Sequence, residues 1–242
     1  AFEGATPTRL SPWGLRLGAD TRVDDHPAFI DGRVEVQDEG SQLIALACNP
    51  AANLRILDLC AGAGGKSLAL AAAAPESEII ASDTNRARLG QLAPRAERAG
   101  VRITTRLLDG GKEAAQLSDL EGQCDVVLVD APCSGSGTWR RNPEGRWRLT
   151  AERLDKLVSL QQHLLDLAMP LVKPGGALVY ATCSILRREG AEQAGNFLGL
   201  HSSWLGQDVP FDGGRDDGPG RLLTPAHDAT DGFFVARFVR PC

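Results

Sequence analysis

The sequence predicts an α/β fold, a mostly parallel sheet with helices on both faces and an antiparallel strand at its C-terminal end. Three observations predict it. After residue 54, short apolar runs alternate with segments of helical character, the pattern that builds parallel sheets through crossover helices. A glycine turn, Cys60-Ala61-Gly62-Ala63-Gly64-Gly65-Lys66, joins the first run to the first helical segment. Asp83, Asp109 and Asp130 then stand at the ends of later runs, where a parallel sheet delivers side chains to one crevice.

Taken in order, Arg55 to Cys60 reads as the first strand, and Lys66 to Ala74 as an alanine-rich helix stopped by Pro75. Glu78 to Ser82 reads as the second strand. Asn85 to Ala99 reads as a helix closed by Gly100, with a kink or restart expected at Pro94 because an interior proline costs about 3 kcal/mol. Arg102 to Leu108, Asp125 to Val129 and Ala177 to Ala181 supply three more strands, the last two separated by a long helix from Ala151 to Leu171. Gly206 to Asp231, rich in Gly, Asp and Pro, reads as loop, and Gly232 to Val239 alternates apolar and polar residues as a strand does. Residues 1–50 lack this alternation and read as an N-terminal extension containing Val34-Glu35-Val36-Gln37-Asp38 and a short helix. Residues 51–242 read as the catalytic domain.

Composition narrows the chemistry. The chain of 242 residues is 43% hydrophobic and contains no apolar run near the roughly 20 residues that a membrane-spanning helix needs. Ala1 reads as a processed or truncated start. The six cysteines include no Cys-x-x-Cys pair and none has histidine at zinc spacing, so no metal site is expected and the thiols read as reduced, cytoplasmic ones. Cys48, Cys124 and Cys242 read as core filler or tail residues. A formal charge of −5 argues against general coating of nucleic acid. Basic residues nevertheless cluster in Arg140-Arg141-Asn142-Pro143-Glu144-Gly145-Arg146-Trp147-Arg148. With Trp139 alongside, this mixes guanidinium groups and indoles as a single-strand groove would, although a solvated arginine-rich loop reads equally well.

The glycine segment admits three readings. Gly65-Lys66-Ser67 looks like the end of a phosphate-cradling loop and Asp125 to Asp130 like the magnesium strand that accompanies one, but Cys60 occupies the position where that pattern requires glycine. A dinucleotide site finds glycines at 62 and 64 but Leu68 in the third place. S-adenosylmethionine fits better, because it needs a glycine turn followed by acids at strand ends. Asp83 is placed to accept hydrogen bonds from both ribose hydroxyls.

Two tetrads point to the methyl acceptor: Asp130-Ala131-Pro132-Cys133 and Ala181-Thr182-Cys183-Ser184. Carbon 5 of cytosine becomes nucleophilic only after something adds to carbon 6, which makes a thiolate the natural catalytic group, whereas methylation of an exocyclic amine needs no cysteine. A base buried in a duplex cannot reach such a thiolate, so the target should be single-stranded, bulged or flipped out.

These segments resemble the RNA (cytosine-5) methyltransferase family, whose bacterial Sun-type members modify small-subunit ribosomal RNA. The resemblance rests on Asp58 through Ser67, with Ala63 where many members have proline. It continues through Asp130 to Thr138 and Arg140-Arg141-Asn142-Pro143, then Tyr180 to Ser184, Asp231-Gly232-Phe233-Phe234-Val235-Ala236-Arg237, and Gln37-Asp38. It implies a Rossmann-like fold and S-adenosylmethionine as cofactor, held by Cys60 through Lys66, with Asp83 on the ribose, Asp109 near adenine and Asp130 between cofactor and base. It also implies Cys183 as the nucleophile and Cys133 as the residue that helps release product. RNA, ribosomal by resemblance, is the implied partner of a monomeric enzyme, with Trp139, Arg140, Arg141 and Trp147 as candidates to hold it. Family members often carry a separate RNA-recognition domain, of which residues 1–50 read as a remainder. A DNA-type enzyme would instead attack through Cys133, and a phosphate-loop hydrolase remains as an alternative from another class.

Overall fold

The computed structural model describes residues 2–242. Strands β1 (Thr6–Pro7) and β2 (Leu15–Arg16) form a small antiparallel hairpin, followed by helices α1 (Pro27–Ile30) and α2 (Glu39–Ala47). Strand β3 (Arg55–Asp58), helix α3 (Gly65–Ala73), strand β4 (Glu78–Asp83), helices α4 (Arg86–Leu89) and α5 (Leu92–Ala99), and strand β5 (Thr104–Leu107) come next. Helix α6 (Glu113–Gln116), strand β6 (Cys124–Asp130), helices α7 (Gly145–Arg148) and α8 (Ala151–Ala168), strand β7 (Val172–Thr182) and helix α9 (Ala191–Leu200) follow. The chain ends with β8 (Leu205–Gln207), β9 (Arg215–Asp217), β10 (Gly220–Leu223), α10 (Pro225–Asp228) and β11 (Phe233–Val239).

Nine strands form one sheet in the order β5-β4-β3-β6-β7-β11-β10-β9, with β8 also paired to β11. The strands from β5 to β7 are parallel, and β11 is antiparallel to β7, as the sequence predicts. Period-two side-chain alternation divides the core. Leu57, Val127, Val129, Leu178 and Tyr180 face one side, under α8 and α9, and Ile56, Val126, Leu128, Val179 and Ala181 face the other, under α2 and α3. Leu43, Ile44, Ala45, Ala47 and Cys48 are fully buried on that second side, so the short helix read with the N-terminal extension packs into the sheet's own core. No helix among the described residues is long and apolar enough to cross a membrane.

The structure departs from the sequence reading in three places. The helix expected to restart at Pro94 breaks earlier, at Gly90 and Gln91. Pro94 instead lies in the first turn of α5, where its missing N–H costs no helical hydrogen bond. Strand β7 begins five residues before the expected start, continuing back to Val172 along β6. The stretch read as loop contains β8, β9 and β10. Asp217 pairs with Gly220 across Gly218 and Pro219, and Gly218 takes the positive φ of +60° that such a tight reversal needs. Each of these strands is four residues or shorter, below the length at which alternation is visible in sequence.

Candidate active site

The carboxyl ends of β3, β4, β6 and β7 open onto a cavity of about 650 Å³. Its lining includes Cys60, Ala61, Asp83, Asp130, Cys133 and Cys183, with Arg153, Leu157 and His163 of α8 on the opposite wall. Of the sequence-predicted groups, these six therefore meet at one place, whereas Gly62 through Lys66 and the candidates Trp139, Arg140, Arg141 and Trp147 are not part of the lining. Asp109 stands apart from that wall: it is exposed, its amide and carboxylate both bonded to the Gln116 side chain, while its neighbours Leu108 and Gly110 line the cavity.

The glycine turn is held from several directions. Asp83 accepts the Gly62 amide through one carboxylate oxygen and the Asn85 amide through the other, both at 2.7 Å, leaving each oxygen a further lone pair. Gly64 caps α3 at φ +80°, and a Cβ there would lie 2.2 Å from a Leu92 methyl. Arg95 donates to the Ala63 carbonyl, and Gly65 faces Gln37 and Arg95. Arg95 thus braces the turn at Ala63 from outside.

Lys66 and Ser67 differ from their roles in a phosphate loop. Lys66 Nζ donates to Asp130 Oδ2 at 2.6 Å, and Ser67 Oγ, fully buried, donates to Asp58 Oδ2 at 2.6 Å. A buried hydroxyl turned onto Asp58 in this way does not support the magnesium-binding role that a phosphate loop gives its serine. Burial works against the Lys66 charge, yet Asp130 and Asp58 hold its pKa above the usual lysine value. Among the described residues, no group of three or more His, Cys, Asp or Glu side chains is arranged to hold a metal ion.

Asp58 has one carboxylate oxygen buried without a partner. Burial pushes its pKa up to about 7, against the pull of Ser67 and Lys66. Because the folded value lies above the unfolded one, the folded chain binds the extra proton between about pH 4 and 7, and stability falls as pH rises through that window. Asp58→Asn is expected to flatten the pH dependence of thermal unfolding there, removing a slope of up to about 1.4 kcal/mol per pH unit. An unchanged slope would assign the dependence to other groups.

The two thiols sit side by side. Asp130 pairs with Ala181 across β6 and β7, and the Ala131 amide donates to the Ala181 carbonyl, so the chains leave the sheet together. Cys133 Sγ then lies 3.3 Å from Cys183 Sγ. Accepting a hydrogen bond from Cys133 holds the Cys183 pKa below the ordinary thiol value; burial and Asp130 oppose this, and Lys66 supports it. Cys133 is driven well above the ordinary value, first by that same hydrogen bond and then by burial. Of the two, Cys183 is therefore the thiol that gives up its proton more readily. Cys60, raised well above the usual thiol value by burial and then by Asp58 and Asp130, is not a competing nucleophile.

The final motif closes on the cysteine loops. Gly137 donates to the Cys183 carbonyl and accepts from the Gly232 amide, and a Cβ at 137 would lie 1.9 Å from the Gly232 carbonyl oxygen, which requires glycine. Asp231, fully buried, receives Arg140 Nη2 at 3.1 Å and Arg141 Nε at 2.6 Å, while its amide donates to Asp38. Arg140 and Arg141, RNA candidates by sequence, are therefore the counter-ions of a buried carboxylate. Trp139 packs against Gly145 with its indole nitrogen buried, whereas Trp147 is 76% exposed with the Arg146 guanidinium 4.4 Å from its ring centre. The sequence reading missed Asp231 as the partner of these arginines, and it missed Glu189, a buried carboxylate beside both cysteine loops.

The resemblance drawn from motifs extends to whole sequences and structures. The protein is 37% identical to ribosomal RNA small subunit methyltransferase B of Salmonella arizonae over 233 residues, which are 95% of this chain and 52% of the relative. It thus spans about half the length of the curated relatives it matches. Among solved structures it superposes on PH0851 with a TM-score of 0.87 at 32% identity, covering 98% of this chain and 54% of that one. It also superposes on NSun6 from Pyrococcus horikoshii, solved with the S-adenosylmethionine analogue SFG, with a TM-score of 0.80 at 25% identity, covering 91% and 56% of the two chains. The family model described as 16S rRNA methyltransferase RsmB/F matches residues 45–239, from the buried end of α2 to the last residue of β11. A match embracing the glycine turn, both cysteine tetrads and the closing Asp231-Gly232 motif makes this chain a member of the S-adenosylmethionine-dependent RsmB/F family of RNA methyltransferases.

Proposed function

We propose that this chain methylates carbon 5 of a cytosine in RNA, ribosomal by its kinship, through a covalent bond between Cys183 and carbon 6. The observation that carries the reading is the pair of adjacent sulfurs, Cys183 and Cys133 at 3.3 Å, at the mouth of a cavity edged by the glycine turn and Asp83. S-adenosylmethionine, when bound, supplies a methyl group on a sulfonium. The residues present suit it: Cys60, Ala61 and Asp83 line the cavity, and the Asp83 oxygens retain acceptor capacity for hydroxyl groups.

Cys183 Sγ adds to carbon 6, and the ring's electrons move toward nitrogen 3 and the exocyclic carbonyl, leaving carbon 5 an enamine carbon. Asp130, which lines the cavity and is charge-paired to Lys66, would accept a hydrogen bond from nitrogen 3 once a solvent proton neutralises the charge reaching that atom. After methylation, transfer of the carbon 5 proton to water re-forms the carbon 5–carbon 6 double bond, and the carbon 6–sulfur electrons leave on Cys183 Sγ, restoring the aromatic ring. Cys133, held neutral beside the departing sulfur, can donate a hydrogen bond to it and assist that departure. Trp147 with Arg146 offers an exposed stacking and cationic surface for a single-stranded target.

Incubating the protein with methyl donor and small-subunit ribosomal RNA, followed by bisulfite sequencing, tests the reading. A protected cytosine supports it, and methyl incorporation confined to exocyclic amines contradicts it. Asp83→Ala is expected to weaken S-adenosylhomocysteine binding by about 1–3 kcal/mol, read by calorimetry, through lost ribose contacts and release of the Gly62 amide. An unchanged affinity would take Asp83 out of the cofactor site.

A further inference from the structure

Cys133 and Cys183 are each followed by serine, and both serines turn inward to one carboxylate, Glu189, which is fully buried in the short helical turn after β7. Its Oε1 accepts the Ser134 amide at 2.8 Å and Gln161 Nε2 of α8 at 3.1 Å. Its Oε2 accepts Ser184 Oγ at 2.6 Å and the Ser134 hydroxyl. The hydrogens around it run in one direction. Ser136 Oγ donates to Ser184 Oγ while accepting the Ile185 amide, and Ser184 Oγ also accepts the Leu186 amide, so neither serine needs a proton from the carboxyl. Gln161 Nε2 additionally donates to the Pro132 carbonyl, and Tyr180 Oη donates to the Glu189 carbonyl at 2.6 Å. Both cysteine loops, α8 and β7 are thus tied to one residue, Glu189.

We propose that Glu189 is a positioning residue that clamps the Cys133 and Cys183 loops through Ser134 and Ser184 and thereby sets the spacing of the two sulfurs. No general packing need explains it, since a buried carboxylate is costly unless its acceptors are filled, and a hydrophobic side chain would fill the same volume without that cost. Four donors, one from α8 and three from residues adjoining the cysteines, offset the cost here. The clamp matters because attack and release use the two sulfurs in turn on one carbon–sulfur bond, and a displacement of about 1 Å can cost up to about a hundredfold in rate. Its role in turnover rests on the two-cysteine chemistry proposed above; the spacing does not.

Phenylarsine oxide reads the spacing without turnover. It condenses with two adjacent thiols, forming two arsenic–sulfur bonds and releasing the oxide oxygen with both thiol protons as water. The wild-type chain is expected to retain the arsenical after dilution. Glu189→Gln, which places an amide donor against two hydroxyl donors, and Ser134→Ala, which removes one strut, should each release it at least about tenfold faster. Both variants should lower kcat by a similar factor while leaving the KM for the methyl donor and the affinity for S-adenosylhomocysteine unchanged, because the glycine turn and Asp83 lie outside the clamp. A merely structural role would instead lower stability and cofactor affinity together. Retention as in the wild type by Ser134→Ala overturns the proposal, even if Glu189→Gln fails to fold, as does a wild-type chain that does not hold the arsenical. A wild-type chain that holds the arsenical without methylating RNA, with both variants releasing it, supports the clamp and counts only against the methyl-transfer reading.

Discussion

Cys183→Ala is expected to lose methyl transfer to RNA entirely, with turnover falling by at least about ten-thousandfold, the scale on which removing a covalent nucleophile acts. The cause is electronic, because carbon 5 of cytosine has no nucleophilic character until a sulfur occupies carbon 6. Binding of S-adenosylhomocysteine should persist, since Asp83 and the glycine turn are held by contacts independent of that thiol. Calorimetry alongside a methyl-incorporation assay separates the two effects. Retained turnover in this variant would move the attack to another residue, and Cys133, 3.3 Å away, is the one within reach.

Replacing Arg140 and Arg141 together by alanine is expected to destabilise the fold by about 2–4 kcal/mol, which would follow from leaving Asp231 buried without a counter-ion. The value lies below that for a fully enclosed pair because both guanidiniums are more than half exposed, so water screens part of the attraction. Asp38 worsens the loss. Burial and the neighbouring Asp231 already raise its pKa, and Arg141 is among the charges that relieve it. Chemical denaturation of the double variant measures the effect, and a change below about 0.5 kcal/mol, ordinary for a surface substitution, would contradict the assignment. The same result decides how RNA affinity should be probed. Substituting Arg146 and Arg148, which bond to no carboxylate among the described residues, tests the basic surface without disturbing the fold.

The sequence carried the chemistry further than it carried the supports of that chemistry. Cys133 and Cys183 were legible because each follows an apolar run that only a buried strand explains, and parallel strands aim their ends at one crevice. Asp83 and the glycine turn were legible for the same reason. Asp231 and Glu189 were not. Asp231 lies about ninety residues from the arginines it binds, and an arginine-rich segment in isolation reads as solvated surface. Glu189 sits beside two arginines in an exposed-looking run, Arg187-Arg188-Glu189, and its burial is set by contacts from α8 and from the loops after β6 and β7 that no local pattern encodes. Strands β8 to β10 escaped because strands of three or four residues have too little length for periodicity to register.

In the proposed reaction two thiols divide the work, Cys183 bonding carbon 6 and Cys133 assisting its release. The measurement that tests it most directly is denaturing electrophoresis of Cys133→Ala and Cys183→Ala after incubation with RNA and S-adenosylmethionine. A denaturant-resistant protein–RNA complex is expected in Cys133→Ala, where attack proceeds and release stalls, and none in Cys183→Ala. A complex in Cys183→Ala with none in Cys133→Ala would contradict it, reversing the roles of the two sulfurs.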